Sequence, residues 1–415
     1  MKGIIVVLSG LGDHENKELN NMTPLEAAST PNLDFLGSRG EFGLFYPVKA
    51  GIIPESHHSL LSLFGNAPHS ASRGQLEAKG SGLNLKHGDL ALRTNFSTVD
   101  NFDEANIIDR RAGRTLTTPE AIALATAINI GVKLKHKFHF RITQNHRGIL
   151  VIRGGLSDNI SSNDLFYDKD KKHANKFLLT RALDEDVDSE FSADVVNSFL
   201  KQAYDILDGH PVNEARRRAG LFPANYISFR GAGSTLPKLK QYKKWAAIVY
   251  TPLEKGIADF SGMRIFSFEY PRMKNYNVYD NVFDGLNAAV NFTKDSLNWG
   301  MKEDYIYVHI KETDIPSHDG RAVVKKEMIE IIDRDLFSFL KNFVQQNNLP
   351  LIVTGDHTTS SVMKDHSHEP LPLLYYSNHP EKEIIKFSEK NSANGSLGSI
   401  YGHDLLKRTG FVDED

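Results

Sequence analysis

From Trp245 onward, short apolar runs alternate with longer amphipathic stretches, and no other feature restricts the possible folds as tightly. Residues 246–250, 264–268, Tyr305–Ile310, 351–354 and Leu371–Tyr376 read as strands, while 253–260, 280–297 and 323–343 carry helical spacing. Strands that alternate with helices predict an α/β fold with a mostly parallel sheet and helices on both faces. The N-terminus begins in the same manner. Residues 4–8, IIVVL, are five aliphatic side chains in a row, the pattern of an interior strand. That run enters Ser9-Gly10-Leu11-Gly12-Asp13, a loop at the strand's carboxyl end. In open α/β sheets ligands and catalytic groups gather at that edge.

Residues from about 70 to 240 have another texture. They are richer in arginine, residues 136–152 alternate as a hairpin about TQNHRG, and 195–207 read as an amphipathic helix. RGGLSDN and RGAGSTLPK read as loops. A chain of 415 residues exceeds what one simple core serves. The expected organisation is therefore one α/β domain in two pieces, 1–70 and 240–415, split by an inserted α+β domain over 71–239. Near the start, Thr23-Pro24 reads as an N-cap with proline in the first turn, and 43–48 as a second strand. PESHHSLLSLFG, residues 54–65, is a polar turn feeding a short apolar helix.

Composition removes several function classes. There is no cysteine, which excludes disulfides, zinc–thiolate sites and thiol nucleophiles. A net charge of −3 supplies no footprint for nucleic acid or a membrane surface. No apolar run approaches the ~20 residues of a membrane span, and no signal-peptide pattern opens the chain, so a cytoplasmic protein is expected.

Histidine placement is more informative. Asp314 and His318 lie in KETDIPSHDG, just past the strand Tyr305–Ile310. Asp356 and His357 lie in TGDHTT, past the strand at 351–354, and DHSHEPLP adds His366 and His368. Carboxylate oxygen with imidazole nitrogen suits zinc, manganese and related divalent ions, and two such sets suit a two-metal centre.

These motifs together resemble the alkaline phosphatase superfamily, and within it the archaeal type of cofactor-independent phosphoglycerate mutase. TPLEAASTPNLDFL, RGQLEAKGSG, GDLALRTNFSTVD, IIDRRAGR, NHRGILV and IEIID are similar to segments of that family. The resemblance implies an alkaline-phosphatase-like domain split by a substrate-binding insert. It also implies interconversion of 3-phosphoglycerate and 2-phosphoglycerate through a phosphoserine, without 2,3-bisphosphoglycerate. By that resemblance Asp314, His318 and His366 hold one divalent ion and Asp356 and His357 a second, with manganese, cobalt, zinc and magnesium undistinguished. Ser56, in ESHHSLLSLFG, matches the serine nucleophile that bridges to the second ion. Arg110, Arg111 and Arg114 in DRRAGR suit bidentate clasping of a carboxylate or phosphate. Arg93, Asp109, His146 and Arg147 are further candidates for holding a small phosphoglycerate, and Lys255 resembles a family lysine near the transferred phosphate. Neither nucleic acid nor membrane is an expected partner, and the oligomeric state is not indicated.

The chain departs from that family at defined points. Ser9 stands where an aspartate ligand of the second metal is expected. His57 and His58 replace an Asp-Thr pair after the serine, and Leu60 replaces a histidine. Either His57 or His58 takes over a ligand or acid–base role, or the second metal site is weakened in a degenerate, non-catalytic paralogue. A metal-dependent phosphatase or phosphodiesterase on the same scaffold is the further alternative. EYPRMKNYNVYD also replaces a glycine-rich segment expected in the family.

Overall fold

The aliphatic run at the N-terminus forms the strand Gly3–Leu8, whose Ile4 to Leu8 side chains are fully buried. The computed structural model describes residues 1–164, 175–380 and 382–412. They divide into two units, one of residues 1–70, 239–270 and 282–415, the other of residues 71–238 and 271–281.

The first unit is built on an eight-stranded sheet. Across it run Gly398–Tyr401, Gly40–Tyr46, Leu371–Tyr376, Leu351–Gly355, Gly3–Leu8, Tyr305–Ile310, Trp245–Ile248 and Arg264–Phe266. Gly3–Leu8 pairs in parallel with both Tyr305–Ile310 and Leu351–Gly355, while Leu371–Tyr376 is antiparallel to both its neighbours. The result is the expected α/β class with a mixed, mostly parallel sheet. The strand expected at 43–48 begins earlier, at Gly40, because Gly40 to Phe45 pair in order with Tyr376 to Leu371. Leu8 is in register with Ile310 on one side and Gly355 on the other. That register brings the next residues, Ser9, Lys311 and Asp356, to the same edge.

The helix expected over 323–343 is interrupted. It runs as Ala322–Ile332, a π-helical turn Asp333–Phe337, then Ser338–Asn347. The Asp333 carboxylate accepts from the Asn32 and Leu33 amides, capping the helix Pro31–Ser38, which has no cap of its own. A wide turn that presents a side chain to another helix end is a common use of a π-bulge.

In the second unit Leu90–Val99 is the central strand, antiparallel to Arg147–Ile152, Tyr226–Gly233 and Ile107–Asp109. Phe138–Gln144 completes the sheet beside Arg147–Ile152, as the hairpin pattern predicts. Phe140, Phe199, Leu92, Leu124, Ile128 and Val196 are core residues between this sheet and the helices Thr118–Gly131 and Val187–Asp208. The second helix starts eight residues before the expected 195, because Asp186 caps it by accepting from the Asp188 amide. Arg230 to Gly233, read as loop, finish a strand, and Gly231 there takes a left-handed φ of 64°. Residues 271–281 belong to this unit: Met273 and Thr118 exchange hydrogen bonds. No helix among the described residues is long and apolar enough to cross a membrane.

Candidate active site

Asp314 opens the short helix Asp314–His318, and the four-residue spacing sets both side chains on one face. His318 Nε2 lies 3.4 Å from Asp314 Oδ1. His366 comes from the ribbon formed by Thr358–Ser360 and Asp365–Ser367, where it pairs with Thr359, and its Nε2 lies 4.0 Å from Asp314 Oδ1. One ligand atom from each of the three falls within 4.8 Å of the others. Their second nitrogens are engaged: His318 Nδ1 donates to the Lys364 carbonyl at 3.2 Å and His366 Nδ1 to the Pro54 carbonyl at 3.0 Å. A carbonyl can only accept, so each Nδ1 carries a proton, and Nε2 is the nitrogen turned toward Asp314 that can ligate a metal once deprotonated. Burial alone would raise the Asp314 carboxyl, but His318, His357, His366 and Lys311 hold it well below the usual carboxylate range. The donor set fits a divalent ion.

Ser56 begins the helix Ser56–Leu63, is buried, and places Oγ 3.0 Å from His357 Nε2. The tautomer of His357 follows from its other side. Thr359 Oγ1 donates to Asp314 Oδ1 at 2.8 Å, so it accepts from His357 Nδ1, also at 2.8 Å. His357 Nε2 is therefore an acceptor and Ser56 the donor. Burial pushes the His357 imidazole down to about 3, against the opposing pull of Asp356, so the ring is neutral at physiological pH. It stacks on His366 at 3.8 Å between centroids. Gly10, with φ 64°, lines the same place: a Cβ there would meet Thr359 Oγ1 at 2.8 Å and Asp314 Oδ1 at 2.9 Å.

Asp356 is buried at the far side. Its Oδ1 accepts from the Gly10 amide at 3.0 Å and its Oδ2 from the Ser9 hydroxyl at 3.1 Å. Lys311 Nζ donates to Ser9 Oγ at 2.8 Å and lies 3.4 Å from Asp356 Oδ2 and 3.1 Å from Glu254 Oε1. His309 Nε2 lies 3.7 Å from Asp356 Oδ2. Burial raises the Asp356 carboxyl, but His357, Lys311 and His309 outweigh it and hold the group far below its ordinary range. No motif marked Lys311, Glu254 or His309. The available signal was the strand register, since Lys311 directly follows the strand that neighbours Gly3–Leu8. This second donor set, with a neutral hydroxyl at 9 and an ammonium among the carboxylates, does not fit a divalent ion.

His57 and His58 do not supply the missing ligand. Their rings pack together at 3.9 Å, His58 packs on His69 at 4.5 Å, and His57 Nδ1 lies 3.6 Å from Glu55 Oε2. Among the described residues the converging histidine–carboxylate group is Asp314, His318 and His366 alone. His368 is exposed and lies 3.9 Å from Glu369. Lys255 is half-buried on the helix Pro252–Phe260.

The second unit carries its own cluster. Arg93 lies mid-strand, beside Ile149 and Arg230 on the neighbouring strands. Its Nε is 3.8 Å from Glu77 Oε1, which Arg73 also binds at 2.6 Å. Burial, then Arg147, Arg111 and Arg93, push His146 well below its ordinary range, so it is neutral. Arg93 Nε, His146 Nδ1 and Asn95 Oδ1 are buried without a hydrogen-bond partner. Arg110 pairs instead with Asp164 at 3.3 Å, and Asp109 accepts from the Arg111 and Gly113 amides, shaping the turn. Arg114 follows at φ 54°. Arg73 and Arg230 join the cluster although no spacing in the sequence marked them.

Fold and site define a class: a mixed α/β protein with a converging carboxylate–imidazole triad and a buried serine at the carboxyl ends of its strands. Residues 37–213 match the profile of 2,3-bisphosphoglycerate-independent phosphoglycerate mutase. The enzyme of that name from Pyrococcus horikoshii is 37% identical over 414 residues, 98% of this chain and 95% of the relative. A solved Pyrococcus horikoshii protein superposes with a TM-score of 0.74 at 28% identity, covering 100% of this chain and 98% of that one. The cofactor-independent phosphoglycerate mutase of Thermoplasma acidophilum gives 0.57 at 28% identity, covering 99% of both chains. The chain belongs to the 2,3-bisphosphoglycerate-independent phosphoglycerate mutase family.

Proposed function

We propose that this chain interconverts 3-phosphoglycerate and 2-phosphoglycerate, with Ser56 carrying the phosphoryl group between the two positions. The observation that supports it most is the 3.0 Å contact from Ser56 Oγ to a neutral His357 beside the Asp314 cation triad. Ser56 Oγ forms a bond to phosphorus as the bond to the glycerate 3-oxygen breaks. Its proton leaves along the hydrogen bond to His357 Nε2 and passes to the departing alkoxide. Return of the phosphoryl group to the 2-hydroxyl reverses these steps and restores free Ser56. A divalent ion held by Asp314, His318 and His366 supplies positive charge for the phosphoryl oxygens. Manganese, cobalt, zinc and magnesium are the ions to compare.

Arg93, Arg111 and Arg147, with neutral His146, are the groups we assign to the substrate's anionic ends. Guanidinium forks suit carboxylate and phosphate; Arg93 Nε is a buried donor without an acceptor, and His146 Nδ1 is buried without a partner beside it. Asp109 positions Arg111 through the turn, and Lys255 is assigned to the phosphoryl group. The test is acid quenching during turnover, followed by peptide mapping. Phosphate on the peptide containing Ser56 is expected; isomerisation without it would remove Ser56 from this role.

A further inference from the structure

We infer that this chain binds one divalent ion, not the pair its family resemblance implies, and that the Lys311 ammonium is the resident cation beside Asp356. The inference rests on reading the site as a phosphoryl-transfer centre, and it concerns the charge at its second cation position. Lys311 Nζ has three acceptors within reach: Ser9 Oγ at 2.8 Å, Glu254 Oε1 at 3.1 Å and Asp356 Oδ2 at 3.4 Å. Ser9 Oγ and Asp356 Oδ2 accept hydrogen bonds from the ammonium, and Glu254 Oε1, buried with no hydrogen bond of its own, faces it as an ion pair.

Ser9 fixes the choice between ions. An aspartate at 9 would add a charged ligand beside Asp356; the hydroxyl instead donates to Asp356 Oδ2 and accepts from Lys311. Both Asp356 oxygens are thereby engaged, Oδ1 by the Gly10 amide and Oδ2 by Ser9 and Lys311. Glu254 is buried, and Thr251 donates to its other oxygen, which anchors the carboxylate that draws Lys311 to this side. A divalent ion touching Asp356 Oδ2 would sit next to an ammonium in a buried setting, where like charges repel strongly. Two imidazoles flank Asp356: His357 Nε2, which holds the Ser56 hydroxyl, lies 3.3 Å from Oδ1, and His309 Nε2 lies 3.7 Å from Oδ2, with its Nδ1 2.6 Å from the Tyr307 hydroxyl. Lys311 thus does electrostatically what the second ion would do, without exchanging with solvent.

The experiment is metal counting on the intact chain. Protein loaded with manganese and desalted is measured by elemental analysis and native mass spectrometry. One ion per chain is expected, falling to none in Asp314→Asn. Ser9→Asp combined with Lys311→Met and Glu254→Gln is expected to gain a second ion, with circular dichroism and melting confirming the fold. Two ions in the unmodified chain, one of them lost in Asp356→Asn or His309→Ala, would overturn the inference. So would a triple variant that folds and still holds one ion. The mutase reading fails separately: one ion bound with no phosphoglycerate turnover removes that reading and leaves the count standing.

Discussion

His357 Nε2 sits 3.0 Å from the Ser56 hydroxyl, while its Nδ1 is tied through Thr359 to Asp314. The chain of hydrogen bonds therefore links the serine to the Asp314–His318–His366 triad and fixes which nitrogen accepts. His357→Asn is expected to lower kcat by about 10²–10⁴ with a smaller change in KM, the loss typical of a general acid–base group. Ser56→Ala is expected to abolish turnover altogether. Steady-state kinetics on both variants checks this.

Removal of the ion gives a second expectation. Chelation followed by desalting lowers Tm, and adding manganese back raises it in a concentration-dependent way. At about 100 times Kd the gain is about 2.7 kcal/mol. In His318→Ala or His366→Ala the manganese-dependent shift in Tm is lost, because the donor set falls below three. Thermal melts at graded manganese provide the measurement.

The turn at Gly10 is sensitive for steric reasons. A methyl there meets Thr359 Oγ1 at 2.8 Å and Asp314 Oδ1 at 2.9 Å, on backbone at φ +64°. Gly10→Ala is expected to cost about 1–3 kcal/mol of stability and to weaken manganese binding by displacing Asp314. Calorimetric titration with manganese checks the second effect apart from the first.

Substrate anchoring is tested in the second unit. Arg147→Met removes a guanidinium from the cluster around Arg93 and His146. Loss of a charge-assisted hydrogen bond of about 1.5–3 kcal/mol corresponds to a rise in KM of about 10–150-fold. Metal content is unaffected, which separates this variant from those in the triad.

Stability depends on pH through Glu389. Burial pushes its carboxyl up to about 7, against the hydrogen bond it accepts from Thr23. The unfolded carboxyl titrates at about 4.3, so the folded chain binds the extra proton between these values. Stability is thus greatest on the acid side of that window and falls as pH rises through about 7. Glu389→Gln is expected to raise Tm by about 2 °C at pH 8 and to leave it unchanged at pH 5, as scanning calorimetry would show.

Much of this was readable in the chain itself. Ile4 to Leu8 announced a central strand because a strand buried on both faces must be apolar at every position. Asp314 and His318 share a helix face through local spacing, and His366 could be assigned through the motif around it. Lys311, Glu254 and His309 were not readable, because their meeting at Asp356 depends on the register between strands far apart in sequence. Arg73 and Arg230 escaped for the same reason. One glycine-containing segment reads differently from what it forms: RGAG is loop-like by composition, yet it pairs with Leu90–Val99 with a register shift. The break at Asp333 was invisible to periodicity, since its cause is the end of another helix.

Phosphorus NMR of the chain with 3-phosphoglycerate, run with manganese, cobalt, zinc and magnesium in turn and beside Ser56→Ala, tests the central claim most directly. The account predicts 2-phosphoglycerate with at least one ion, and none from the variant. Inorganic phosphate as the sole product, or no product with any ion, would contradict it.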